Sequence, residues 1–228
     1  VPFVLISPRR KLGWRNRNFS DWARALAWIM GLSINVRNIP PAGSFLLIAN
    51  HLSYVDIVVL GSQLNCAFVA KSEVARWPIL GFITASMNTI FIDRKSKRDL
   101  LRAMSTAKAT LDHGLGLVVF AEGTSTGGGK PLPFKSSMLD FAARQRMPVH
   151  YASIEYQVAS HERPARESVC WWGAMTFPDH LFRLLQLAEF QAHLTFGAEP
   201  IINEDRRLLA AELWPAVSAQ LSPAGVES

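Results

Sequence analysis

The sequence predicts an α/β fold in which a mostly parallel central sheet is covered by helices, preceded by a basic amphipathic helix at the N-terminus. Three observations predict it. Short continuous apolar runs recur at Phe45–Ala49, Ala67–Ala70, Thr89–Ile92, Gly116–Phe120 and Val149–Ile154. Each has strand length and lacks polar alternation, which is the pattern of strands buried on both faces. Segments of helical period lie between them, so successive strands are joined by crossovers and run parallel. The chain has 228 residues, 49% of them hydrophobic, which is enough for one large core.

The first thirty residues are unlike the rest. Val1–Ile6 is apolar, and the first residue is Val, so the chain reads as a fragment or processed product, with this hexapeptide as the last turns of a removed anchor. Arg9, Arg10, Lys11, Arg15 and Arg17 follow. Ser20 or Asp21 can cap a helix running to about Leu32, with Phe19, Trp22, Leu26 and Ile29 on one face. A basic segment bearing Trp and Leu fits a helix lying in a membrane surface; packing on the domain's own core is the competing reading. The balance of 24 basic against 18 acidic residues, net +6, suits anionic headgroups, nucleic acid or an acidic carrier protein. No run of about 18 apolar residues is present, so no complete membrane span is expected.

Asn38–Gly43 reads as a turn into the first strand, Phe45–Ala49. A helix from about Tyr54 to Gly61–Leu64 leads to Ala67–Ala70. Trp77–Ile83 reads as a short apolar helix with Pro78 in its first turn. After Thr89–Ile92, residues 97–112 give the clearest amphipathic helix, carried by Leu100, Met104, Ala107 and Leu111 and closed by His113-Gly114. A helix over Ser136–Gln145 separates Gly116–Phe120 from Val149–Ile154. Val169–Trp172 and Ala192–Phe196 read as sixth and seventh strands, and Asp179–Ala188 and Glu204–Gln220 as helices. Cys66 lies in an apolar run and reads as a buried thiol; two cysteines without a CxxC make neither a disulfide scaffold nor a zinc site.

Polar residues gather where the apolar runs stop. His51 and Asp56 follow the first run, Lys71 the second, Arg94 the third, and Glu122 and Gly123 the fourth. The carboxyl ends of parallel strands share one sheet edge, so these groups face one cleft if the strands are neighbours. His51 is a base able to take a hydroxyl proton near neutral pH, and Asp56 can fix its tautomer. Lys71 and Arg94 suit an anionic substrate group. The turn at Gly123 can offer backbone N–H groups to an oxyanion. Ser53 beside His51 lacks the G-x-S-x-G frame of a hydrolase nucleophile. Gly127-Gly128-Gly129-Lys130 lacks the frame of a phosphate-binding P-loop and reads as a lid or turn. His113, His150, His161, His180 and His193 read as structural.

Asn50-His51-Leu52-Ser53-Tyr54-Val55-Asp56 resembles the HxxxxD motif of the glycerolipid acyltransferases, the group containing 1-acylglycerol-3-phosphate acyltransferase. Ile90–Arg94 resembles that family's second block, Phe120–Ser125 its FPEGTR block, and Met147-Pro148-Val149 its fourth. The blocks keep order and spacing over residues 35–200. The resemblance implies that His51 deprotonates the acceptor hydroxyl, Asp56 orients His51, and the oxygen attacks an acyl thioester with no acyl-enzyme. It implies that Arg94 holds an anionic headgroup and that Glu122, Gly123 and Thr124 position the acceptor or shape the site. Lys71 and Lys135 match basic positions that contact phosphate. Neither metal nor organic cofactor is implied, only acyl-ACP or acyl-CoA as donor.

The expected organisation is a membrane-associating segment over 1–34, an acyltransferase domain over 35–221 and a loose tail over 222–228, working on the cytoplasmic face of the inner or plasma membrane. Two positions depart from the family pattern: Ala121 replaces a Pro, and Ser125 replaces an Arg that contacts phosphate. The first expectation for the acceptor is 1-acylglycerol-3-phosphate or a related lysophospholipid, which the lost Arg puts in doubt, and a lyso-ornithine lipid is the alternative. Ser125–Ser136, Cys170–Thr176 and His180 resemble the lyso-ornithine lipid acyltransferase subgroup. A non-catalytic lipid-binding protein of the same fold is a further alternative, opposed by the intact His51, Asp56, Arg94 and Glu122. Nucleic-acid binding is disfavoured because the basic residues form no recognition helix.

Overall fold

A computed structural model describes residues 8–76, 81, 84, 89–93 and 96–221. The elements are α1 (Pro8–Ile29), β1 (Leu32–Arg37), β2 (Leu46–Ala49), α2 (Val55–Gln63), β3 (Cys66–Lys71), β4 (Ile90–Ile92), α3 (Lys97–Asp112), β5 (Gly116–Phe120), α4 (Asp140–Arg144), β6 (Val149–Gln157), α5 (Ala165–Ser168), α6 (Phe177–Leu184), β7 (Phe190–Phe196) and α7 (Arg206–Ser218). Short 3-10 turns occupy Ser72–Arg76 and Ser136–Met138.

The strands form a seven-stranded sheet in the order β1-β7-β6-β2-β5-β3-β4. Every pairing is parallel except β6 with β7. The mostly parallel α/β architecture is therefore as expected, with β1 and β7 running against the rest. Side chains alternate across the central strands. Phe45, Leu47 and Ala49 enter a core with Phe19 and Ala23 of α1 and Val55, Val58 and Val59 of α2. Leu46 and Ile48 enter a second core with Ala103 and Ala107 of α3 and Leu209 and Leu213 of α7. Burial on both faces is why these strands read as unbroken apolar runs.

Several expectations are corrected. The first helix starts at Pro8, not at Ser20 or Asp21; Ser20 is buried within it, and Asp21 pairs instead with Arg24 at 2.8 Å. Its inward face is Phe19, Ala23 and Ala27, a four-residue spacing whose small residues let α1 approach α2 closely, while Trp22, Trp28 and Ile29 point outward. Gly61 completes that contact: a Cβ there would meet the Phe19 ring at 2.4 Å. The helix stops at Gly31, whose φ of +66° suits glycine. Strand β1 then begins at Leu32, where the helix was expected to end, and Phe19, Ala23, Ala27 and Leu32 enter the domain's own core.

Val169–Trp172 is not a strand but the turn after α5; its N–H groups point back to Ala165 and Leu52 rather than to a ladder. Ala192–Phe196 lies in a strand, as expected, and that strand is antiparallel to β6. The helix expected over Ser136–Gln145 is broken at Leu139 into a 3-10 turn and α4. Trp77–Ile83, the tail over 222–228, Val1–Ile6 and Arg94 lie wholly or largely outside the described residues.

Candidate active site

The site forms where β2, β5 and β3 end side by side. Strand β2 stops at Ala49, but Asn50 continues its pairing through a side chain. The Asn50 amide donates to the Ile154 carbonyl at 2.9 Å and accepts from the Ile154 N–H at 2.7 Å. A carboxamide thereby replaces a peptide unit in the ladder, fixing the strand end while the backbone turns away. His51 comes next, outside the sheet. Its imidazole lies over the Phe120 ring at 4.1 Å between centroids and 17° between planes. Phe120 is held opposite because β5 pairs with β2 in register, Ala49 against Phe120.

Asp56 sits in the first turn of α2, where unpaired backbone N–H groups favour a carboxylate. It is fully buried. Its Oδ2 lies 2.7 Å from His51 Nδ1 and accepts from the N–H of Leu52 at 2.7 Å and of Ser53 at 3.1 Å. Its Oδ1 accepts from the Tyr156 hydroxyl at 2.7 Å. A carboxylate against Nδ1 selects the tautomer with hydrogen on Nδ1 and the lone pair on Nε2. The His51 side chain is 22% exposed, and the residue lines the adjoining cavity.

Glu122 acts one layer further in. It is buried, and its two oxygens accept from the backbone N–H of His51 and of Leu132, each at 2.7 Å. Burial pushes its pKa up, against those two N–H donors and the His51 charge, which pull it down. The geometry is that of a clamp on the His51 backbone, and Glu122 is absent from the cavity wall. Gly123 takes φ of +75° and its N–H donates to Phe120, so it is engaged already. An oxyanion donor from this turn has to come from Thr124 or Ser125, which line the cavity.

That cavity holds about 360 Å³ and is walled by His51, Tyr54, Phe68, Lys71, Thr124 and Trp171 among others. Glu73 and Ser125 also line it, so among the described residues Lys71 and Glu73 bring one cation and one anion to its wall. Lys135 does not line it; its backbone N–H fastens the loop to Ala121 at 2.9 Å. Ser125, in place of the expected Arg, donates its hydroxyl to the Trp171 carbonyl, and Trp171 N–H returns to Leu52 at 2.8 Å. The loop 169–176 thus forms part of the wall. Tyr54 bonds His180 Nδ1 at 3.0 Å. Burial holds His180 down to about 4, so it is neutral at pH 7.

Of the residues expected at the site, His51, Asp56, Lys71, Gly123 and Thr124 come together, Glu122 stands behind them, and Lys135 stands apart. Tyr156, Asn50 and Phe120 were not expected there. Ser53 is fully buried, and its hydroxyl has no hydrogen-bond partner among the described residues, which removes it as a nucleophile. Cys66 and Cys170 are buried thiols not joined in a disulfide, with pKa raised by burial.

A His–Asp pair at the carboxyl edge of a parallel sheet is an arrangement suited to taking a proton from a hydroxyl, and among the described residues Ser53 is buried and the Ser125 hydroxyl is bonded to Trp171. The comparisons with known proteins agree. The Acyltransferase family model matches residues 33–155. The chain is 30% identical to a lyso-ornithine lipid O-acyltransferase of Brucella abortus, over 98% of this chain and 89% of that one. It is 26% identical to a 1-acyl-sn-glycerol-3-phosphate acyltransferase of Neisseria meningitidis, over 90% and 81%. The crystal structure of a 1-acyl-sn-glycerophosphate (LPA) acyltransferase from Thermotoga maritima superposes with a TM-score of 0.65 at 20% identity, covering 96% of this chain and 84% of that one. The chain belongs to the Acyltransferase family and is an acyltransferase.

Proposed function

We propose that this acyltransferase moves a fatty acyl group from a thioester, carried by an acidic carrier protein or coenzyme A, to the hydroxyl of a lysolipid with an amino-acid headgroup. His51 Nε2 takes the hydroxyl proton as the oxygen attacks the thioester carbonyl. The tetrahedral adduct then collapses, breaking the C–S bond, and the leaving sulfur takes the proton back from His51. Asp56 stabilises the imidazolium between these steps. The reading needs no metal or organic cofactor. The observation that carries it is the Nδ1 contact with buried Asp56, which leaves Nε2 for the cavity.

The headgroup assignment rests on Ser125. Its hydroxyl is bonded to Trp171, so it supplies neither charge nor fork for a phosphate monoester. Among the described residues the charged groups on the wall are Lys71 and Glu73, which suit a group with one carboxylate and one amine. Relatives named for both acceptors resemble the chain, which keeps 1-acylglycerol-3-phosphate as the second reading. Exposed Trp28 and Ile29 on α1, behind a basic stretch, support work at an anionic membrane surface, and a thioester donor favours its cytoplasmic side. Among the described residues no helix is long and apolar enough to cross a membrane.

An acceptor panel tests the reading: lyso-ornithine lipid, 1-acylglycerol-3-phosphate and other lysophospholipids, each with both donors, with products read by mass spectrometry. The reading expects diacylated amino-acid lipid as the main product. Preference for the phosphate monoester would overturn the headgroup assignment. Lysolipid binding without turnover of any thioester would overturn transfer itself.

A further inference from the structure

We propose that Tyr156 is a positioning residue of the His51–Asp56 pair, setting the orientation and basicity of Asp56 from the opposite side of β2. This rests on the reading of His51 as the base.

The argument starts from the acceptor sites of one buried carboxylate. Asp56 Oδ2 serves His51 Nδ1 and the N–H groups of Leu52 and Ser53. Those partners lie within five residues of Asp56 in sequence, so its own turn fixes them. Oδ1 points the other way, and its partner is the Tyr156 hydroxyl at 2.7 Å, from a strand a hundred residues on. Without it, a buried carboxylate oxygen would lack its donor, which is costly. With it, the carboxylate plane is fixed at both ends, and Oδ2 stays aimed at Nδ1.

The placement of Tyr156 is itself determined. Strand β6 pairs with β2 through Ala49 against Ala152, and the two hydrogen bonds between Asn50 and Ile154 carry that register beyond the end of β2. Tyr156 comes two residues after Ile154. Its ring meets Phe190 of β7 at 6.3 Å. Burial and the neighbouring Asp56 charge raise its pKa well above the ordinary phenol value, so it stays a donor throughout the working pH range.

The consequence has a sign. A donor on Oδ1 withdraws charge from the carboxylate and weakens its pull on the imidazolium. Removing it makes Asp56 more basic and raises the pH at which His51 loses its proton. Tyr156→Phe keeps the ring and deletes the donor. Replacement of Tyr156 by 3-fluorotyrosine keeps the shape and strengthens the donor, which covers the case in which Phe folds poorly.

The experiment measures kcat and acceptor KM against pH for wild type, Tyr156→Phe and the fluorotyrosine protein, with His51→Ala alongside. The proposal expects Tyr156→Phe to lower kcat about tenfold or more with KM within twofold. It expects the acidic limb of kcat/KM to move up for Phe and down for fluorotyrosine. A fall in kcat with the limb unmoved in both proteins reduces Tyr156 to a packing role and overturns the proposal, as does an unchanged kcat. Should His51→Ala stay within tenfold of wild type, the base assignment fails and this proposal with it. Loss of activity in His51→Ala with an unaltered Tyr156→Phe profile overturns the Tyr156 role alone.

Discussion

The two halves of the sheet differ in how they are built and in what they contribute. Strands β2, β5, β3 and β4 run parallel, and the inner ones are buried on both faces; β5 is buried at every residue. Strands β1 and β7 run the other way and alternate: β7 is buried at Phe190, Ala192, Leu194 and Phe196, with Gln191 and His193 between them turned away from the core. The parallel half ends in one polar edge and holds His51, Asp56 and the Glu122 clamp. The alternating half has a polar outer face and contributes none of these three residues. The seam is β6, parallel to β2 on one side and antiparallel to β7 on the other, and from it Asn50 is locked and Asp56 is reached. The difference teaches that chemistry here follows strand direction: parallel strands deliver their loops to one place, and a reversed strand delivers its loops elsewhere.

This contrast can be broken or sharpened by substitution. The largest effect belongs to Asp56→Asn. The groups on Oδ1 and Oδ2 are donors, so an amide NH₂ on either side meets an N–H or O–H. We expect kcat to fall about 10³-fold with a lowered Tm, from a pairing worth that much in related dyads; steady-state kinetics and thermal unfolding check both. Glu122→Gln loses one of the two backbone bonds and lets His51 shift, which should lower kcat roughly 10- to 100-fold with acceptor KM little changed. A rise in KM alone would make Glu122 a substrate contact instead.

Asn50→Ala removes both bonds to Ile154 and should cost about 2–3 kcal/mol in denaturant unfolding, with some loss of activity. Gly61→Ala drives a methyl into Phe19 and should cost about 1–3 kcal/mol while leaving catalysis intact, since it disturbs only the α1–α2 contact. His180 titrates in the folded state near 4, below its ordinary 6.5. Its neutral form stabilises the fold fully above pH 6.5, and that contribution is lost as pH falls from 6.5 through 4, by on the order of 1–2 kcal/mol. His180→Gln should flatten that slope in unfolding measured across the window. The smallest effect is expected in the alternating half: Asn35→Ser, which loses an exposed 3.2 Å contact with Gln191, should change stability by less than about 0.5 kcal/mol.

The same contrast explains what the sequence made legible. Strands covered on both faces announce themselves as apolar runs, so Phe45–Ala49 and Gly116–Phe120 were found within a residue, and with them the positions of His51 and Glu122. Leu32–Arg37 reads Leu-Ser-Ile-Asn-Val-Arg, with only Leu32 buried and Ile34 half-buried. So short an alternation next to a helix end resembles a connection, and β1 was missed. Val169–Trp172 erred in the other direction: Val169 and Cys170 are buried by tertiary packing of a turn, which local pattern cannot separate from a strand. Tyr156 lay beyond the expected end of its strand at Ile154. A buried Tyr in a sheet must find a partner for its hydroxyl, which was the available signal, but only the β2–β6 register says that the partner is Asp56. The role of Glu122 was equally hidden, since nothing in a sequence distinguishes a carboxylate that meets substrate from one that holds a backbone.

The central claim is that the imidazole of His51 takes the acceptor proton. It is tested most directly by kcat/KM of His51→Ala with the preferred lysolipid and thioester, measured beside its thermal unfolding. The account predicts a loss of about 10³-fold or more with Tm essentially that of wild type, because the imidazole is partly exposed and its ring is the only part removed. Activity within tenfold of wild type in a folded variant would contradict it.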